Sequence, residues 1–168
     1  IAGIFGVADP IKPESARTIA ELHELGLVTV MLTGDHAKNA LVIAKAVGIP
    51  TVHGDLLPED KVSRVKELMA TYEGCVAMVG DGVNDAPALA LASVGIAMGA
   101  AGSDTAIDTA PVALMNDKLS LVPFLVRLGR RTLATIRVNT ALAITVKVVF
   151  LALALMGLGH LVLAIAAD

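Results

Sequence analysis

Three short polar segments combine side chains suited to phosphate and a hard metal ion. The first, "MVGDGVNDAPALA" at 78–90, places Asp81, Asn84 and Asp85 among glycines directly after the apolar run Val76 to Val79. Polar groups at the end of a buried strand are costly unless they are satisfied. Asp81 and Asp85 are four residues apart at a predicted strand-to-helix junction. Asn84 fits a helix N-cap, and Gly80 and Gly82 let backbone approach closely. A helix N-terminus favours anions, but two carboxylates there disfavour a phosphate unless a cation sits between. Mg2+ suits, because it takes hard oxygen ligands, often one or two carboxylates plus phosphate oxygens. A capped helix with solvated acids is the alternative reading. The second segment, "TGD" at 33–35, supplies a hydroxyl that can donate to a phosphate oxygen, a glycine and a carboxylate. A simple N-cap is the alternative and, taken alone, the better reading of this segment. The third, "LLPEDK" at 56–61, ends in Lys61, which can neutralise phosphate charge or be merely solvated. Together, hydroxyl, lysine and paired acids make a candidate phosphoryl site.

The elements that must position these groups follow from pattern. Residues 3–8 read as a buried strand, broken by Asp9-Pro10. Pro13 and Glu14 open a helix to about Leu25, ended by Gly26. "LVTVMLT" (27–33) has strand composition, and "HAKNALVIAKAVG" (36–48) has helical spacing with a terminal glycine. "TVHG" is a short strand. Pro58 opens a helix to about Thr71, with Glu59 and Asp60 in its first turn. "CVAMVG" is a strand that takes Cys75 into the core, "NDAPALALA" a short helix, and "VGIAM" and "PVALM" strands. Strands alternating with helices indicate a parallel α/β sheet. Such sheets place ligands at the carboxyl ends of their strands, so the motifs at 33–35 and 81–85 should face one crevice. Met31, Met78 and Met98 lie on these strands and read as core.

The chain has 168 residues and a net charge of -3, with no tryptophan and one tyrosine. No long basic run or stacking platform is present, which argues against nucleic acid as a partner. Cys75 is the single cysteine, so no internal disulfide forms. A second region begins near Leu119, after the cap-like Asn116-Asp117, and carries Arg127, Arg130, Arg131 and Arg137. Residues 139–158 then hold one charge, Lys147, over a length that matches a bilayer's hydrocarbon core. A buried helix of a soluble protein is the alternative. A second apolar run after the Gly157–Gly159 turn favours the membrane. The preceding arginines put residues 1–138 on the cytoplasmic side. Lys147 falls near the midplane, where an ionisable residue points to function. At about 1.5 Å per residue, Lys147 and Asp168 on the returning helix differ in depth by roughly 5 to 6 Å, so they should approach one another. An ion pair that only fixes helix register is the alternative. His160 near the turn could receive or release metal, or have no such role; His23 and His53 show no ligand spacing. The sequence opens on Ile1 without a signal-peptide pattern and stops within an apolar run, and reads as part of a longer chain.

The motif set resembles the haloacid dehalogenase superfamily, and specifically the phosphorylation domain of P-type ATPases. "MLTGD", "LLPEDK" and "MVGDGVNDAPALA" match its signatures almost word for word, "ADPIKPES" resembles its hinge after the nucleotide-binding domain, and "GSDTAIDTAPVAL" the stretch after the magnesium motif. His36 stands where many relatives carry asparagine. The resemblance implies a Rossmann-like phosphorylation domain over 1–118, an amphipathic connecting helix over 119–138, a transmembrane helix over 139–158 and the start of a second over 161–168. It implies that Thr33 and Lys61 contact an aspartyl-phosphate, Asp81 ligates Mg2+, Asn84 and Asp85 complete that site, and Gly34 and Asp35 shape its second edge. The last apolar stretch resembles the Zn2+/Cd2+/Pb2+-exporting group, in which a membrane aspartate (here Asp168) ligates the transported cation and a lysine (here Lys147) is its counter-ion. Copper-exporting relatives carry a Tyr-Asn pair, absent here, while Val162 stands where tryptophan is common. ATP, Mg2+, the heavy-metal cation and membrane lipid are the implied ligands and partners, at the plasma membrane in a multi-pass protein. The family's Asp-Lys-Thr-Gly nucleophile motif does not occur in this sequence, nor does a Walker A motif. The chain alone is therefore expected to bind Mg2+ or phosphate without hydrolysing ATP. A soluble phosphatase of the same superfamily is the alternative. It needs an N-terminal aspartate nucleophile that Asp9 does not supply, and it leaves 139–158 unexplained.

Overall fold

The computed structural model of the protein describes residues 10–81, 84–99 and 110–156. The strand expected over 3–8, the motif's Gly82 and Val83, most of 102–114, and Gly157 to Asp168 lie outside those residues. The chain divides into two compact units, residues 1–123 and 124–168.

In the first unit the elements alternate as the pattern predicts: α1 (Ser15–Glu24), β1 (Val30–Leu32), α2 (Ala37–Val47), β2 (Thr51–His53), α3 (Pro58–Thr71), β3 (Ala77–Gly80), α4 (Ala86–Leu91), β4 (Val94–Met98) and β5 (Val112–Leu114). The three ladders among the described residues are parallel, as strands joined by crossovers must be. They form two sheets among the described residues, β1-β2 and β3-β4-β5. A shared core unites them. Val65, Met78, Ala88 and Leu89 are buried together, and Leu32 of β1 and Val62 of α3 pack against them. Burial of Val65, Met78 and Leu89 contributes about 1.5–3 kcal/mol each. Alternation along β1 sends Met31 to the other face, where it lines an apolar cavity of about 300 Å3 with Ile19, Ile43 and Val47.

Several expectations are corrected. The strand read over 27–33 shrinks to Val30–Leu32, because its partner β2 is only three residues long. Cys75 is exposed. It sits in the turn that starts β3, where Glu73 and Gly74 have φ of 52° and 81° and Cys75 N donates to the Tyr72 carbonyl at 3.0 Å. Asp117 caps no helix; its carboxylate pairs with Lys12, whose Nζ also donates to the Asp117 carbonyl at 3.0 Å.

The last described element is a long helix, α5 (Leu121–Leu155). It holds an 18-residue window of mean hydropathy 2.1, none of it buried, and is long and apolar enough to cross a membrane. Lys147 is exposed on it. Thr145 Oγ1 donates to the Ala141 carbonyl at 2.8 Å, so its hydroxyl is satisfied within the helix, as a lipid environment demands.

Candidate functional site

The three motifs leave elements that share one core. Thr33 follows Leu32, Lys61 precedes Val62, and Asp81 and Asp85 lie between Met78 and Ala88; all four of those neighbours pack in the same cluster. Burial of that cluster fixes where the polar residues emerge.

The tightest contact joins two motifs 24 residues apart: Lys61 Nζ donates to Asp85 Oδ1 at 2.6 Å. The side chains are only 14% and 15% exposed. Two features hold this pair. Pro58 starts α3, and Asp60 Oδ2 accepts from Leu57 N at 3.0 Å, which fixes the first turn that carries Lys61. Gly80 makes room for Asp85: a Cβ there would lie 2.7 Å from Asp85 Oδ2. The N-cap expected at Asn84 is found one residue later. Asp85 occupies the cap position of α4, with no side-chain cap bond, because its carboxylate serves Lys61. Asn84 is exposed at the bend before it, and Asp81 is exposed at the end of β3.

The Thr33-Gly34-Asp35 loop closes on itself. Thr33 Oγ1 accepts from Asp35 N at 3.1 Å, which leaves the hydroxyl proton as a donor. Thr33 N continues the β1-β2 ladder to the His53 carbonyl at 3.0 Å. His36, the N-cap of α2, accepts from Lys38 N through Nδ1 at 3.3 Å. It does what an asparagine oxygen does at such a cap. His36→Asn should therefore leave stability nearly unchanged and His36→Ala should cost about 0.5–2 kcal/mol, read from the thermal midpoint of the purified full-length protein.

The sequence reading missed Asp55. Its backbone N donates to the Asp35 carbonyl at 2.7 Å and its Oδ2 accepts from Ala37 N at 3.1 Å. The turn dipeptide Gly54-Asp55 after a strand was the available signal. The expected Lys147–Asp168 approach lies outside the described residues. Among the described residues no cluster of three or more His, Cys, Asp or Glu forms a metal site. Mg2+ needs no such cluster, since one or two carboxylates with water and phosphate oxygens suffice, and the carboxylates at 81 and 85 supply donors of that kind.

Comparison with known proteins places these observations. Residues 1–93 match the family described as haloacid dehalogenase-like hydrolase. The chain is 48% identical over its whole length to a cadmium-transporting ATPase of Staphylococcus aureus, of which it covers 23%. It is 44% identical over 87% of its length to a zinc-transporting ATPase of Bacillus subtilis, again covering 23%. The crystal structure of a zinc-transporting PIB-type ATPase in the E2.Pi state superposes with a TM-score of 0.87 at 42% identity, over 95% of this chain and 26% of that one. The chain thus spans about a quarter of the length of these proteins. With the family's sequence match over residues 1–93, its parallel α/β architecture and its lysine and acid motifs in contact, the chain belongs to the haloacid dehalogenase-like hydrolases, and it is similar from end to end to a segment of the metal-transporting P-type ATPases.

Proposed function

We propose that the full-length protein carrying this sequence is an ATP-driven exporter of Zn2+, Cd2+ or Pb2+ that works through an aspartyl-phosphate. One observation carries this reading: a single chain joins the Lys61–Asp85 pair at a sheet edge to a helix whose apolar half, residues 139–155, holds Lys147 as its one charge. The similarity to cadmium- and zinc-transporting ATPases supports the choice of cation. Residues 1–118 are then the C-terminal part of the phosphorylation domain, 119–138 the connecting segment, 139–158 a membrane span and 161–168 the start of the next, with α5 running unbroken across the boundary at 138. Residues 1–138 are cytoplasmic in a multi-pass plasma-membrane protein, in contact with lipid and not with nucleic acid.

An aspartate from elsewhere in the full-length protein attacks the γ-phosphorus of ATP, ADP leaves, and water later cleaves the acyl phosphate. This chain stabilises the charge on the phosphoryl oxygens. Thr33 donates its hydroxyl proton, Lys61 brings an ammonium with three donors, and Asn84 lines the approach. Gly34 and Asp35 shape the edge opposite. Asp81 and Asp85 would hold Mg2+, which neutralises phosphoryl charge when bound. ATP is bound mainly outside this chain. Asp168 ligates the exported cation and Lys147 replaces it as counter-ion on the return.

The test is ATP hydrolysis by the full-length protein in proteoliposomes, with Zn2+, Cd2+, Pb2+ or Cu+ supplied in turn. Stimulation by the first three with an acid-stable, hydroxylamine-labile phosphoprotein is expected. Hydrolysis indifferent to all four metals would overturn the proposal.

A further inference from the structure

We infer that Asp55 is a positioning residue for the Thr33-Gly34-Asp35 loop, an inference that rests on the phosphoryl-binding role proposed for that loop. The loop hangs from β1 and leads into α2, and a second loop, 54–56, clasps it along its length. Leu56 N donates to the Thr33 carbonyl at 3.1 Å, and Asp55 N donates to the Asp35 carbonyl at 2.7 Å. The Asp55 carboxylate then reaches Ala37 N at 3.1 Å, at the first turn of α2. One residue thus ties down the last carbonyl of the loop and the first amide of the helix that follows it. A shift of Asp55 would move the C-terminal end of the segment that presents the Thr33 hydroxyl, while Leu56 holds its start.

The clasp is close. A methyl group on Gly54 would lie 2.6 Å from Ala37 Cα, and one on Gly34 would lie 3.3 Å from the Leu56 carbonyl oxygen. Asp55 itself adopts φ 56°, a left-handed conformation. Aspartate and asparagine tolerate it better than other residues with a Cβ. Residue type therefore matters twice at this position, once for the backbone and once for the carboxylate. Asp55 does not touch the phosphoryl group in this scheme; it acts through Thr33 and Asp35.

The experiment uses the full-length protein and three variants, Asp55→Asn, Asp55→Gly and Asp55→Ala. Asparagine keeps both the backbone conformation and an acceptor oxygen. Glycine keeps only the conformation, and alanine keeps neither. The readouts are metal-stimulated ATP hydrolysis, the apparent KM for ATP, and half-inhibition by orthovanadate, which mimics the phosphoryl group. Misplacing a binding group by a fraction of an ångström is expected to lower turnover about tenfold and raise the half-inhibiting orthovanadate concentration about tenfold in Asp55→Ala. The KM for ATP should stay within about twofold, because the nucleotide is held elsewhere. Asp55→Asn should behave as wild type and Asp55→Gly should fall between. Unchanged orthovanadate sensitivity in Asp55→Ala overturns the inference. So does a loss in which all parameters and the yield of folded protein fall together and asparagine does not restore them. If the wild-type protein shows no orthovanadate-sensitive hydrolysis, the phosphoryl-site reading itself fails and takes this inference with it.

Discussion

Lys61→Met in the full-length protein is expected to lower phosphoprotein formation by about 10²-fold or more, the scale of losing one charged group that stabilises developing charge. The geometry also implies a cost in stability. Lys61 and Asp85 are mostly withdrawn from water and meet at 2.6 Å. Methionine keeps the aliphatic bulk of the lysine stem but leaves the Asp85 carboxylate desolvated without its cation. Breaking a fully buried pair costs about 3–5 kcal/mol, and the residual exposure here lowers that to about 2–3 kcal/mol. Asp85→Asn is the informative partner. It keeps the shape and an acceptor for Lys61, so its stability cost should be smaller while its charge is lost. Lys61→Arg should not restore activity, since a planar guanidinium does not fit the space of a point-like ammonium held between carboxylate and phosphoryl group. The check is phosphoprotein level from radiolabelled ATP, with the thermal midpoint measured on the same samples. If Lys61→Met keeps its phosphoprotein within about threefold of wild type, Lys61 is a structural partner of Asp85 and the charge-stabilising role is wrong.

That pair shows where sequence reasoning stops. Local chemistry was legible. Gly48 ends α2 at φ 83°, Pro58 starts α3, and the alternation of strands and helices implies parallel ladders. These features depend on neighbours within a few residues. Lys61 and Asp85 are 24 positions apart, and no periodicity links them; their residue types suggested a common phosphoryl site, but only the resemblance to a known family gave each its place in it. The missing side-chain cap bond at Asp85 has the same origin, because a long-range partner took the carboxylate that a local rule would have left to the helix. Cys75 was misplaced because a left-handed turn at Glu73 and Gly74 delays the strand, and nothing in an apolar run announces where pairing begins. Asp55 was overlooked because its work is done through backbone contacts that composition does not display.

Gly80→Ala is expected to reproduce the loss seen with Lys61→Met without removing any polar group. The new methyl carbon would fall 2.7 Å from Asp85 Oδ2 and 3.0 Å from Asp85 Cβ, inside van der Waals contact. Asp85 is the end of a side chain, and it could swing away if it were unattached. Its other oxygen is held by Lys61, however, so relief of the clash requires the ion pair to stretch or break. Overpacking of this kind costs about 1–3 kcal/mol, and the shifted carboxylate should lower phosphoprotein formation by about 10²-fold, as a small misplacement in a charge-stabilising site does. A double-mutant cycle with Asp85→Ala separates this from a general backbone effect. With the carboxylate gone, the 2.7 Å contact disappears, and the stability cost of Gly80→Ala should fall by about 1 kcal/mol or more. Equal costs in the two backgrounds would mean that Gly80 is needed by the strand's own path and not by Asp85. Gly95→Ala gives the contrasting case. Its added carbon would meet the Leu89 carbonyl oxygen at 2.5 Å, a backbone atom of α4, so its cost should persist whether or not Asp85 is present.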